Sequence, residues 1–127
     1  IWPSAGIITS PFGKRVDPFS GVEAEHRGID LRNRPGGNVV ASEQGTVINT
    51  APGSRHGENQ VVVRNHDGTT SIYSHTKPGV PEGQRVNAGD SLGETDRSGR
   101  STGPHLHYGI MDKSGKYIDP VTRLPRR

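Results

Sequence analysis

Glycine and proline interrupt this chain every few residues, and this punctuation limits its fold more than any other feature. The 127 residues include 18 glycines and 10 prolines, so stretches of ten or more residues without a helix breaker are scarce. The aliphatic residues favour the same outcome, because 11 valines and 8 isoleucines stand against 4 leucines, and β-branched side chains suit pleated strands. We therefore predict an all-β domain of many short strands joined by turns.

Short apolar segments bounded by turn residues mark the candidate strands. The clearest pair is a hairpin, in which residues 60–64 and 69–75 flank Asp67-Gly68, a dipeptide that tolerates the positive φ of a tight turn. Residues 80–93 repeat valine, glycine and leucine in a rhythm typical of a small folded sheet or a barrel corner. Further strands are predicted at residues 7–9, 28–31, 39–41, 45–48 and 105–110.

The length of the chain suits one domain. We predict a single domain over residues 1–127, with an N-terminal extension and first strand in residues 1–20 and a polar tail in residues 119–127. No apolar run approaches the roughly 20 residues of a membrane span, and the first residues do not resemble a signal peptide, so we expect a mature or excised domain.

The charge pattern argues against a nucleic-acid-binding protein. The net charge is +3, the basic residues are scattered, and aromatic residues make up 5% of the chain, which leaves little surface on which bases could stack. We expect a monomer without a nucleic-acid partner, whose basic surface would suit anionic polymers.

The absence of cysteine excludes disulfides, thiolate zinc sites and thiol nucleophiles, so any metal must be held by histidine and carboxylates. Side chains two apart on a strand share a face, so His105 and His107 should converge on one side of their strand. By the same rule His26, Gly28 and Asp30 share a face if that strand extends back far enough; otherwise His26 lies in the preceding loop.

Tyr73 and His75 form a third same-face pair at the end of the predicted hairpin. Two histidines and one aspartate would leave a fourth position on Zn²⁺ open, as in catalytic sites, and the remaining histidines would handle protons. A lone His-x-His is more often a surface or packed pair, but the combination of motifs beside glycine-rich turns favours metal binding. His56 and His66 lack such partners and are predicted to be exposed loop residues.

Three motifs contain these residues: 26–31 (HRGIDL), 73–75 (YSH) and 99–108 (GRSTGPHLHY). They resemble the signatures of the M23 (lysostaphin/LytM-type) zinc endopeptidases, and the likeness extends to residues 10–15 (SPFGKR) and 80–93. The resemblance implies a mostly antiparallel β-sandwich or open barrel-like fold of the duplicated-hybrid-motif type, with an open groove.

The resemblance also implies roles for individual residues. His26, Asp30 and His107 would bind Zn²⁺, and His75 and His105 would be the catalytic pair that does not bind the metal. A zinc-activated water would cleave peptide cross-links of bacterial peptidoglycan, which implies an extracytoplasmic location in the periplasm, the cell wall or the medium. Because all five positions are intact, the chain is interpreted as an active member of the family.

Two other functions compete with this interpretation. One is a non-catalytic LytM-type domain that binds peptidoglycan or regulates amidases while keeping the fold. The other is a lipoyl- or biotinyl-like carrier, suggested by residues 80–90, but such carriers present a lysine on a hairpin, and the predicted tight turn carries Asp67-Gly68 instead.

Overall fold

A computed structural model describes residues 1–16, 23–34, 36–51, 59–96 and 105–126 of the chain. This part is built from short strands and a 3₁₀-helix (Pro120–Arg123), without an α-helix, which confirms the all-β prediction. The strands are β1 (Ile8–Ser10), β2 (Gly13–Val16), β3 (Glu23–His26), β4 (Ile29–Arg32), β5 (Asn38–Val40), β6 (Gly45–Ala51), β7 (Gln60–Asn65), β8 (Thr70–Ser74), β9 (Thr76–Pro78), β10 (Arg85–Val86), β11 (Ser91–Thr95), β12 (His105–Met111) and β13 (Tyr117–Ile118).

The strands form three antiparallel sheets. The main sheet has the order β1-β4-β12-β8-β7-β6-β10, and β13 adds to it by pairing with β12. The second sheet has the order β5-β11-β9, and β2 and β3 form a separate two-stranded ribbon. The expected antiparallel arrangement is confirmed, and β4 and β12 lie side by side within the main sheet.

The predicted hairpin is formed by β7 and β8. At its turn the Asp67 carboxylate accepts a hydrogen bond of 3.0 Å from the Thr69 backbone N–H, and Gly68 adopts a φ of 91°. Gly83 and Gly89 also have positive φ, at 88° and 93°, and they bend the segment that contains β10 and leads to β11. Glycine is therefore used where the chain reverses, as the punctuation of the sequence predicts.

One hydrophobic core lies between the main sheet and the second sheet. Every second residue of β4 and β12 contributes to it, and the remaining side chains of these strands face the other side. The core residues with the least exposure come from both sheets, except Ala41, which directly follows β5: Ile29, Leu31, Val39, Ala41, Val47, Val61, Val63, Tyr73, Val86, Leu92, Leu106, Tyr108 and Ile110. This packing makes the main sheet a rigid support for the side chains on its opposite face.

The C-terminal segment is attached to the domain. Arg123, in the 3₁₀-helix, forms ion pairs with Glu43 and Asp67, and its Nη2 lies 2.6 Å from the Asp67 carboxylate. The Trp2 indole donates a hydrogen bond of 2.8 Å to the Pro125 carbonyl. The described residues contain no helix with the length and hydropathy that a membrane span requires.

Candidate functional site

Strands β4 and β12 bring a carboxylate and a histidine together. Asp30 is paired in register with His107, and the His107 Nδ1 lies 2.8 Å from the Asp30 Oδ1. Leu106 and Tyr108 are fully buried, so His105 and His107 project from the opposite face, which we call the site face. The expectation that these two histidines share a face agrees with the structure.

His26 reaches the site from a different sheet. It is the last residue of β3, which pairs with β2, whereas Asp30 belongs to β4 in the main sheet. The prediction that His26, Gly28 and Asp30 share one strand face is therefore wrong, and His26 is not in a loop either. The reason is that the chain bends between His26 and Ile29, so the local two-residue period does not continue across this point.

The position of Gly28 allows β12 to approach closely. A Cβ atom built on Gly28 would lie 2.5 Å from the Tyr108 carbonyl oxygen and 3.0 Å from the His107 Nε2. Both distances are too short for a side chain to be accommodated without movement, so glycine is required for the observed contact.

Three side chains could hold a metal ion. One ligand atom from each of His26, Asp30 and His107 lies within 4.8 Å of the others. The His26 Nδ1 is 2.8 Å from the Pro11 carbonyl, to which it can only donate, so in the neutral ring the lone pair is on Nε2, which lies 3.4 Å from the Asp30 carboxylate. Two acceptors that face each other attract a cation, and this donor set of two imidazoles and one carboxylate fits Zn²⁺.

The electrostatics of Asp30 suit a metal ligand. Burial disfavours its charged form, but hydrogen bonds from His107 and His26, together with their charge, hold the pKa of the carboxyl well below its usual range. Its side chain retains 16% exposure. The carboxylate is therefore ionised at neutral pH and open to solvent on the site face.

A second pair of histidines lies beside this cluster. The rings of His75 and His105 are 4.6 Å apart, and the His105 Nε2 is 4.0 Å from the Asp30 carboxylate. His75 is buried, at 8% exposure, whereas His105 is partly exposed, so solvent reaches the His105 side of the pair. All five residues that the sequence singled out are thus brought together.

His75 lies on the site face, although side-chain alternation along β8 does not predict this position. Strand β8 ends at Ser74, and His75 adopts a φ of 58°, the left-handed region that non-glycine residues rarely occupy. Tyr73 is fully buried in the core, whereas the His75 ring packs on His105. The prediction that Tyr73 and His75 form a same-face pair is therefore wrong. The left-handed backbone at His75 directs its side chain to the site face, whereas the Tyr73 side chain faces the core.

Two residues that the sequence did not single out hold the turn at His75. The Asp96 N–H donates to the His75 carbonyl at 2.9 Å, and the Thr76 N–H donates to the Asn59 carbonyl at 3.3 Å. The Asn59 amide also donates to the Asp96 carboxylate. These residues are far apart in sequence, so no local pattern could have indicated their partnership.

The remaining candidate residues lie away from the site or outside the residues that the structure describes. His66 is exposed beside the hairpin turn, as predicted, and His56 falls outside the described residues. Residues 99–104 of the long GRSTGPHLHY motif are also outside them. Alternation along β4 places Arg32 on the site face with Asp30, and the same two-residue spacing in the sequence could have indicated this.

Sequence comparison identifies the relatives of this chain. The profile of peptidase family M23 matches residues 24–120. The DD-carboxypeptidase/endopeptidase Mpg of Neisseria meningitidis is 35% identical over 116 residues, which is 91% of this chain and 26% of that protein. The murein hydrolase activator NlpD of Salmonella dublin is 31% identical over 91% of this chain and 30% of its own length.

Structural comparison agrees with these relationships. A zinc-containing peptidase from Vibrio cholerae superposes with a TM-score of 0.83 and 28% identity, covering 99% of this chain and 39% of that one. The chain thus spans between about a quarter and two fifths of the length of these relatives.

Proposed function

The chain belongs to peptidase family M23, and on this premise we propose that it is a zinc-dependent endopeptidase that hydrolyses peptide cross-links of bacterial peptidoglycan. The observation that carries the proposal is the convergence of two groups on the site face. His26, Asp30 and His107 form a potential metal site, and His75 and His105 lie beside it with their rings in contact. A metal site with adjacent titratable groups is the arrangement that metal-assisted hydrolysis requires.

We assign metal binding to the first group. His26 and His107 would bind through Nε2 and Nδ1, the atoms that face Asp30, and the Pro11 carbonyl would keep the His26 ring in its binding orientation. Asp30 would supply the negative charge that offsets part of the charge of the ion. A bound Zn²⁺ would polarise the scissile carbonyl and lower the pKa of a water molecule toward neutrality.

We assign proton transfer to the second group. As the water oxygen bonds to the carbonyl carbon and the C–N bond breaks, one proton of the water must end on the leaving nitrogen. One of His75 and His105 would carry this proton, and the other would donate a hydrogen bond to the developing oxyanion. Their rings are 4.6 Å apart, which lets both reach one small group on the site face.

Substitution of these residues tests the two assignments separately. We expect wild-type protein to bind one zinc ion and to cleave cross-links in purified peptidoglycan, which exposes new amino termini on stems that stay attached to the glycan. His105→Ala should keep zinc and lose cross-link cleavage, whereas His107→Ala and Asp30→Ala should lose both. His66→Ala is the matched control, because His66 is exposed beside the hairpin turn, and it should keep both. Metal content is measured on the same samples that are assayed for new amino termini.

Each assignment has its own contrary result. Zinc retained at wild-type affinity in His107→Ala and Asp30→Ala would overturn the ligand set. Cross-link cleavage at the wild-type rate by His105→Ala would overturn the catalytic role of that residue.

A second function is favoured by one of the relatives. The similarity to a protein named murein hydrolase activator supports a regulatory domain that binds peptidoglycan and stimulates other hydrolases. The intact set of five site residues supports the peptidase instead. The two functions differ in one measurement: a peptidase exposes new amino termini at cross-links of peptidoglycan when it acts alone, whereas an activator only increases the release of stem peptides by an added amidase.

Either function would place the domain outside the cytoplasm, because peptidoglycan lies outside the cytoplasmic membrane. We therefore propose an extracytoplasmic location, in the periplasm, the cell wall or the medium. Peptide stems and cross-bridges of peptidoglycan would be its partners.

A further inference from the structure

Arg32 is an exposed cation on the site face, beside one of the proposed catalytic histidines. Along β4, Ile29 and Leu31 are buried, and Asp30 and Arg32 lie on the opposite side. In the register of β4 and β12, Arg32 is paired with His105, just as Asp30 is paired with His107.

The backbone geometry places Arg32 close to His105. The Arg32 N–H donates a hydrogen bond of 2.9 Å to the Ile7 carbonyl, on the side of β4 that faces away from β12. Arg32 and His105 therefore form a non-hydrogen-bonded pair, the type in which antiparallel strands bring side chains closest. In such pairs the Cβ atoms are about 4.5–5.5 Å apart. The Arg32 side chain thus begins next to the His105 ring.

Arg32 forms no ion pair within the part of the chain that the structure describes. Arg123 provides the contrast, because its guanidinium is held by both Glu43 and Asp67. A guanidinium has five N–H donors in a planar fork that matches a carboxylate. An exposed guanidinium beside the site is therefore available for an anionic group of a ligand.

We propose that Arg32 is a specificity-determining residue that binds a carboxylate on the leaving-amine side of the scissile amide. This inference rests on the proposed peptidase function and names the class of cross-link. In a direct cross-link the scissile nitrogen can come from a diaminodicarboxylic acid, in which the carbon that carries this nitrogen also carries a carboxylate. The inference takes His105 as the histidine that carries the proton to the leaving nitrogen, so Arg32, which is paired with His105, would bind the carboxylate on that side. A glycine bridge carries no carboxylate at this position.

The strength of the expected preference follows from the type of contact. Charge-assisted hydrogen bonds, and bidentate arginine–carboxylate pairs above all, are stronger than neutral ones. We expect the carboxylate to raise kcat/KM by about 10- to 100-fold over an uncharged substrate of the same shape.

Two synthetic substrates and four proteins test this inference. Both substrates join D-alanine to a diaminodicarboxylic acid; in one the carboxyl beside the scissile nitrogen is free, and in the other it is a primary carboxamide. Wild type should prefer the free carboxylate, and Arg32→Gln should lose this preference while cleaving the carboxamide at the wild-type rate. Arg32→Lys should keep part of it, because a lysine retains the charge without the fork. Arg34→Gln removes an exposed arginine two residues further along and should keep the preference in full.

The outcomes distinguish a failure of the proposed role of Arg32 from a failure of the proposed peptidase function. Equal cleavage of both substrates by wild type, or an equal loss on both in Arg32→Gln, would overturn the role of Arg32 and leave the peptidase intact. Cleavage of neither substrate by zinc-loaded wild type, with cleavage of a glycine bridge, would also overturn it. No cleavage of any of these bonds would overturn the proposed function together with this inference.

Discussion

Replacing Gly28 by alanine should damage both the fold and the metal site, by a steric route that the structure defines. The new Cβ would lie 2.5 Å from the Tyr108 carbonyl oxygen and 3.0 Å from the His107 Nε2. Restoring an ordinary contact of 3.4 Å requires β12 or the Gly28 backbone to move by about 0.9 Å. Backbone atoms of a paired strand cannot move this far without disturbing their hydrogen bonds.

The expected cost comes from two opposing terms. Overpacking of a close contact costs about 1–3 kcal/mol, and replacing glycine by alanine returns about 0.4–1 kcal/mol by restricting the unfolded chain. We expect a net loss of about 0–2.6 kcal/mol in the free energy of unfolding, and a loss of about 1–3 kcal/mol relative to a glycine-to-alanine change that meets no close contact. Zinc affinity should fall as well, because functional sites tolerate only about 0.5 Å of displacement and His107 lies on the strand that must move.

Gly109→Ala is the matched control, since it makes the same change on β12 itself. Its Cβ would have its nearest contact at 3.4 Å, with the Arg27 carbonyl, so it should be neutral or slightly stabilising. Urea unfolding with a chelator present measures the packing cost alone, and competition with a chromophoric chelator measures zinc affinity. If Gly28→Ala matched Gly109→Ala in both measurements, the close approach of β12 would not be the reason for glycine at this position.

Two further predictions concern a strained residue and an acidic one. The free energy of unfolding of His75→Gly should exceed that of His75→Ala by about 1 kcal/mol, because glycine adopts the left-handed φ without strain. Both variants should lose cross-link cleavage, and equal stability would argue against strain. Hydrogen bonds from Thr69 and Arg123 hold the pKa of Asp67 well below its usual range, so its stabilisation is present at neutral pH and declines as the pH falls below about 4. The urea midpoint of Asp67→Asn should therefore fall less between pH 7 and pH 3 than that of wild type, and parallel decreases would contradict this.

The parts of the fold that were predicted correctly depend on short-range rules. The hairpin of β7 and β8 follows from two alternating segments around Asp67-Gly68, and both features lie within a few residues of each other. The opposite faces of β12 follow from the geometry of an extended backbone, which sends His105 and His107 one way and Leu106 the other. Such rules need no knowledge of which strands become neighbours.

The two errors arise where the chain leaves a regular strand. His26 ends a ribbon that is separate from the main sheet, so counting residues back from Asp30 does not locate it. His75 takes a left-handed conformation although no glycine stands at this position, and histidine adopts it only in a minority of cases. Its carbonyl is held by the Asp96 N–H from another part of the chain, and this contact exists only once the domain has folded.

Residue types and their spacing were thus sufficient to indicate an all-β domain and a set of histidines and an aspartate suited to a metal, because strand propensity and side-chain alternation are local properties of the backbone. Residue types and spacing did not predict how these side chains assemble into one site. Asp30 meets His107 through strand pairing across 77 positions of sequence, and His26 is oriented by the Pro11 carbonyl. These contacts depend on sheet order and register, which are selected by packing of the whole core against the entropy of the chain.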